Sequence, residues 1–326
     1  DEKKLKIITD PFRSKDFRLN FLLNLPGSFR SKIGLISYFL KYLIQSDAQI
    51  AISDDISALE ALNKSKINKE LLDKLLRPFL QGVFLESNLE TSRKFLDVVL
   101  KTFLRGTPSI PAQGMQAIPN QLAESIGFEN ISLNSKVEKI STNSLVVNDR
   151  VIEAKKIVVA TDLNTAAIWQ LVPQKTMRAV STWYFEADKE VETVANSLPI
   201  LFVDGQNKGP LTNAVVLSNA AKSYAPKDKV LVSASAIKPF EEASESEILH
   251  HLEKLFGVST TNWNLIKKYE IKDALPAMLP PYSLIDSNKL NESLFIAGDH
   301  RATSSINGAF LSGRNAAISV KVSLGI

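Results

Sequence analysis

Hydrophobic spacing divides the chain into a helical first third, a β-rich middle and a closing strand and helix. Leu71, Leu72, Leu75 and Leu76 recur at helical spacing, as do Phe95, Val98, Val99, Leu100, Phe103 and Leu104. Residues 1–105 therefore read mostly as helix. "DDISALEAL" opens on Asp55, an N-cap candidate ahead of Leu59, Glu60 and Leu62. After Gly106 the character changes. "TPSIPAQGM" is a loop, and "MQAIPNQLAESIG" predicts a helix broken or restarted at Pro119 and stopped by Gly127. Three short strand signals follow: "NISLNSKVEKIS", "SLVVNDRVIEA" and "KIVVAT", with a tight hairpin turn at "VNDRV". "KIVVAT" is continuously apolar, the pattern of a strand buried on both faces. Residues 178–237 add "RAVSTWYFEA", "SLPILFVDG", "NAVVLSN" and "KVLVSASA", whose partial alternation suits a mixed or antiparallel sheet. Residues 243–256 predict an amphipathic helix with Ile248, Leu249, Leu252, Leu255 and Phe256 on one side. "NLIKKYEIKDALPAMLPPYSL" gives a strand and then a Pro-rich loop. There is no internal repeat and no low-complexity segment.

Composition narrows the chemistry. At 326 residues the chain can bury one large core or two smaller ones. A net charge of +4 permits contact with an acidic membrane surface or an anionic ligand. The basic residues are scattered, which argues against nucleic acid. With no cysteine, disulfides, thiolate nucleophiles and cysteine-ligated metal sites are excluded. No metal site is expected, and no H-E-x-x-H, P-loop or G-x-S-x-G occurs. The opening "DEKKLKIITD" has no apolar run of the signal-peptide kind. The most lipophilic window, "KIGLISYFLKYLIQS", is too short to span a bilayer and reads as a buried or amphipathic helix, with membrane-surface docking as its other reading. The expected location is cytoplasmic or peripheral to a membrane. His250 and His251 are expected to face solvent from the 243–256 helix, and His300 to sit in a solvated loop. Asp204 and Lys208 carry no special signal.

The chemistry concentrates in "LFIAGDHRATSSINGAFLSGRNAAISV", residues 294–320. A buried strand runs into Gly298-Asp299, a polar loop follows, and Gly308-Ala309 stand at the head of an apolar helix. Glycine allows close approach to the backbone, and a carboxylate past the strand end can accept hydrogen bonds from sugar or ribityl hydroxyls. Unpaired N–H groups at a helix start favour phosphate or the electron-rich edge of a flavin. Small Gly308, Ala309 and Gly313 would let a flat ring and a sheet pack closely.

This segment resembles the C-terminal flavin motif of the FAD-dependent amine oxidase superfamily, closest to its phytoene desaturase-like and protoporphyrinogen oxidase-like branches. Further segments match in order: "LRPFLQGVFLESNLETSRKF", "GMQAIPNQLAESI" and "SKVEKI…KIVVATDLNTAAIWQLV". Together they cover most of residues 75–171 and 274–320; the likeness is weak over 178–272. The resemblance implies FAD as cofactor and places Val137 against adenine through its backbone. It sets Ala160, Thr161 and Asp162 near the dinucleotide, Gly298 and Asp299 at the ribityl or pyrophosphate, and Gly308, Ala309 and Phe310 at the isoalloxazine. Val137 reads equally as a core strand residue, and Asp162 equally as the N-cap of "LNTAAIWQLV". No catalytic side chain is identified, because a flavin itself accepts the hydride. Trp183 and Phe185 of "STWYFEA", together with Tyr282, are candidates for a substrate cavity.

One departure is large. The family opens with a strand, a G-x-G-x-x-G turn and a helix, and none of these occurs here. The 326 residues read as a fragment that holds the flavin end of the site, with the rest of the site upstream of residue 1. The expected architecture is α/β (α+β-like). A partial FAD-binding Rossmann-type domain (residues 106–172 and 288–326) interleaves with a mixed-sheet and helical substrate domain (1–105 and 173–287). The expected activity is hydride transfer from a small apolar or amine substrate to flavin. The rival reading is a truncated, non-catalytic remnant or interaction domain that binds no FAD alone.

Overall fold

The computed structural model describes Leu25, residues 27–65 and residues 67–326; the helical reading of residues 1–24, 26 and 66 lies outside these. The chain divides into two compact units, each assembled from two separate segments: residues 1–115 with 177–275, and residues 116–176 with 276–326.

In the first unit, helices Phe29–Ile44, Asp47–Ala51, Ala58–Asn63, Arg77–Phe84 and Arg93–Arg105 precede a five-stranded sheet. Asp55 is not the N-cap that the sequence suggested. Ser57 caps the Ala58–Asn63 helix, and Asp55 instead accepts the Ser92 hydroxyl at 2.6 Å. The strands lie in the order Leu201–Phe202, Asn213–Val216, Val230–Ala236, Met177–Ala187 and Asn264–Pro276. The first three neighbouring pairs are antiparallel, with Trp183 opposite Ala234 and Phe185 opposite Val232. Alternation puts Trp183, Phe185, Ala187, Val230, Val232 and Ala234 on one face, where they are buried. That face packs on Ile248, Leu252 and Phe256 of the Glu245–Phe256 helix and on Trp263.

Trp183 and Phe185 are therefore core residues, which corrects their assignment to a substrate cavity. The capped helix occupies the side to which they point. The opposite face carries Thr182 and Tyr184 beside Ser235 and Ser233, with Tyr184 edge-on to Tyr269 at 5.8 Å. Gly82 approaches this face, where a Cβ would stand 2.6 Å from Asn213 Nδ2.

A second correction concerns His251, which is buried rather than solvent-facing. Its Nδ1 accepts the Leu211 amide at 3.0 Å, so Nε2 carries the proton and donates to Asp204 Oδ2 at 3.2 Å. Asp204 also accepts from the amides of Gln206 and Lys208. Burial would raise the Asp204 pKa, but the His251 bond and the two amides outweigh it and bring it to about 2. A carboxylate depressed in the fold stabilises above its unfolded pKa and loses that contribution as pH falls through the folded value. Asp204→Asn should cost about 2 kcal/mol at neutral pH. The gap from wild type in urea unfolding should close as the pH drops from about 4 towards 2; a gap independent of pH would contradict the clamp.

In the second unit, Val137–Ile140, Ser144–Val147 and Arg150–Glu153 form an antiparallel meander. Its last turn has Asn148 and Asp149 both at positive φ (49° and 62°), the conformation of a two-residue hairpin turn. Ile157–Val159 pairs in parallel with Leu294–Ile296 across a long stretch of sequence, with Ile296 opposite Val159. Val158 is 42% exposed, so "KIVVAT" is not covered on both faces as its apolar run suggested. The helix Ala117–Ile126 admits Pro119 in its first turn, where no intrahelical N–H is needed, and ends at Gly127.

Candidate cofactor site

The parallel pair brings two turns to the same edge. Ala297 continues the ladder by donating to the Val159 carbonyl at 2.8 Å. Ala160-Thr161-Asp162 and Gly298-Asp299 thus leave the carboxyl ends of neighbouring strands, the position at which open α/β sheets bind ligands. Asp162 caps the helix Leu163–Ile168, accepting the Thr165 amide at 2.9 Å and its hydroxyl at 2.7 Å. The Thr165 bonds hold its carboxyl below the ordinary value. Val137 is half-buried at the start of the meander, in the three-stranded sheet rather than in the parallel pair.

The closing helix is Ile306–Leu324, two residues longer at its start than the sequence suggested. Ser305 is the N-cap, and its hydroxyl takes the Gly308 amide at 3.0 Å. The Ala309 amide bonds the Ser305 carbonyl at 2.9 Å. Gly308 and Ala309 are therefore not the open donors; those are the amides of Ile306 and Asn307, which bond no other described residue. Gly308 is buried, and a Cβ there would stand 1.6 Å from the Thr303 carbonyl oxygen. Phe310 is 47% exposed. Gly313 is open: apart from its own helix backbone, no described atom lies within 4 Å of where a Cβ would stand.

Polar residues that the sequence did not single out hold this region in register. Asn288, buried, donates to the Ile296 carbonyl at 2.7 Å and to Ser312 Oγ at 3.0 Å. The same Ser312 Oγ accepts the Gly298 amide at 3.1 Å. The strand end, its preceding loop and the closing helix are thereby tied at one hydroxyl. Tyr282 donates to the Ala302 carbonyl at 2.7 Å, and burial pushes its pKa up to about 12. It borders a depression of about 340 Å³ together with Lys175, Thr176, Leu279, Ser283 and Asp286.

His300 corrects another expectation. It is buried rather than solvated, with no hydrogen-bond partner for either ring nitrogen among the described residues and Asp299 Oδ1 3.8 Å from Nδ1. Its ring packs on Gly298, where a Cβ would lie 2.4 Å from Cε1. A buried imidazole without partners is costly, and a bound polar group would relieve it. The open first-turn amides, the Asp299 carboxylate and this imidazole fit the flavin and ribityl end of a dinucleotide. Among the described residues no cluster of His, Asp or Glu is placed to hold a metal ion.

The sequence model of flavin containing amine oxidoreductases matches residues 10–320. No curated protein matches. Among solved structures, an oxidoreductase from Methanosarcina mazei is similar, with a TM-score of 0.65 at 14% identity over 90% of this chain and 73% of that one. Putrescine oxidase bound to putrescine gives 0.65 at 16% identity, over 90% and 76%. A Pyrococcus furiosus protein gives 0.60 at 14%, over 88% and 74%. At these identities the structures share the fold. The match over nearly the whole sequence shows that the chain belongs to the flavin containing amine oxidoreductase family, whose members are FAD-dependent oxidoreductases.

Proposed function

We propose that the second unit holds the flavin end of FAD and that the substrate is a small amine or an apolar molecule. What supports the first part is that the Gly298-Asp299 turn leaves the end of the parallel strand pair and packs on the Ile306–Leu324 helix, whose first two amides are open. Asp299 would accept from ribityl hydroxyls, and the Ile306–Leu324 helix would direct its positive end at the ring's electron-rich edge. Ala160 and Thr161 would flank the dinucleotide, while Asp162 serves first as a helix cap. The bound flavin supplies the hydride acceptor. The chain's own residues orient the substrate and exclude water.

The substrate class is supported by the family and by the likeness to putrescine oxidase bound to putrescine. In the first unit, Tyr184 replaces Trp183 and Phe185 as the aromatic candidate, since it stands on the sheet face away from the core. In the second unit, Tyr282 keeps its place as a lining residue. FAD-loaded protein mixed anaerobically with a panel of diamines, monoamines and apolar alkenes should lose its flavin absorbance with one class. Bleaching by none of them would exclude both substrate classes.

A further inference from the structure

The His300 side chain is 1% exposed, and neither ring nitrogen has a hydrogen-bond partner among the described residues. Such an imidazole costs the fold stability, because its polar atoms have left water without compensation. The charged group beside it is Asp299, whose Oδ1 lies 3.8 Å from Nδ1, beyond a hydrogen bond. The ring lies over Gly298, where a Cβ would stand 2.4 Å from Cε1 and 2.6 Å from Nδ1, so residue 298 must lack a side chain. The backbone here is pinned. The Gly298 amide donates to Ser312 Oγ at 3.1 Å, the Gly298 carbonyl accepts from the Arg301 amide at 3.1 Å, and the Asp299 carbonyl from the Ala302 amide at 3.1 Å. The Asp299 carboxylate is freer: its side chain is 33% exposed. Rotation of that side chain alone can bring an oxygen to about 2.8 Å from Nδ1.

We propose that His300 is a positioning residue for Asp299 in the cofactor site. Its Nδ1–H donates to one carboxylate oxygen and turns the other outward, towards a sugar or ribityl hydroxyl. The proposal rests on the reading of Asp299 as the hydroxyl acceptor at the flavin end of FAD. The imidazole nitrogens are themselves buried, so Asp299 is the group through which a bound hydroxyl is coupled to them. A hydrogen bond to a carboxylate is stronger than one between neutral groups, and a backbone fixed beforehand leaves little to reorganise on binding. The stability lost by burying an unpaired imidazole is recovered when the cofactor binds.

Two substitutions separate this role from packing. His300→Asn keeps a donor near the place of Nδ1 but leaves space behind it, whereas His300→Leu fills much of the space and has no donor. Fluorescence titration of the full chain with FAD should show His300→Leu binding about tenfold more weakly and His300→Asn within about threefold of wild type. The thermal midpoint without FAD should run the other way. His300→Leu should match or exceed wild type, since it removes unpaired buried polar atoms, and His300→Asn should fall below it. Asp299→Asn should weaken FAD binding about tenfold, and Asp299→Asn/His300→Leu should bind no more weakly than Asp299→Asn alone. Additive losses, or affinities that follow the order of the thermal midpoints, would overturn the proposal. Undiminished binding by His300→Leu beside a weakened Asp299→Asn would overturn it and leave the flavin-end reading intact. Undiminished binding by Asp299→Asn would overturn both.

Discussion

Gly308→Ala and Gly313→Ala should move stability in opposite directions, although both add one methyl to the same helix. At Gly308 the new Cβ would lie 1.6 Å from the Thr303 carbonyl oxygen, which is backbone and cannot swing aside. Either the 303–305 turn or the helix head must shift. Overpacking of this kind costs about 1–3 kcal/mol, and the upper end is expected where backbone must move. The shift would also misplace the Ser305 cap and the open amides of Ile306 and Asn307, so flavin affinity should fall by at least about tenfold. At Gly313 a Cβ meets nothing within 4 Å. There the substitution removes only a glycine from a helix interior and should stabilise by roughly 1 kcal/mol. Urea unfolding of the two variants checks the pair. A stable Gly308→Ala would mean that the turn is loose and that the close approach has no positioning role.

The second large effect concerns the other end of the cofactor. The 326 residues contain no G-x-G-x-x-G, the turn that supplies the pyrophosphate cradle in a dinucleotide fold. Two phosphate charges would be held with only partial compensation, at a cost of several kcal/mol. About 4 kcal/mol is roughly a thousandfold in dissociation constant. This polypeptide by itself should therefore purify nearly colourless and take up FAD about a thousandfold more weakly than a family protein that carries the glycine-rich turn. Fluorescence titration of both proteins under one set of conditions measures the ratio. Stoichiometric, tightly held FAD in the 326-residue polypeptide would show that these residues form a complete site.

Much of the local structure was legible because it follows from spacing and caps. The Glu245–Phe256 helix, the hairpin turn at Asn148-Asp149 and the β-rich middle all come from short-range patterns. Other features were readable but misjudged. His251 lies three residues after Ile248 and four before Leu255, which puts it on the apolar face rather than the solvent face. Ser305 stands one residue before the helix and three before Gly308, an ordinary N-cap position, and it moves the helix start and its open amides by two residues. Alternation in "STWYFEA" separates Trp183 and Phe185 from Tyr184 but cannot say which set meets the core; the Glu245–Phe256 helix decides that. The parallel pairing of Ile157–Val159 with Leu294–Ile296 leaves no periodic trace, since its partners are far apart in the chain. The Asn288–Ser312–Gly298 tie was equally hidden: single polar residues in separate segments become a unit only when the fold brings them to one hydroxyl.

The central claim is that the second unit receives the flavin end of FAD between the Gly298-Asp299 turn and the head of the Ile306–Leu324 helix. Amide hydrogen exchange of the chain, with and without FAD in large excess, tests it most directly. Protection should appear at residues 298–300 and at Ile306 and Asn307, whose amides bond no other described residue, and exchange in the Glu245–Phe256 helix should be unchanged. Protection confined to other segments, or none anywhere at FAD concentrations that saturate binding, would contradict it.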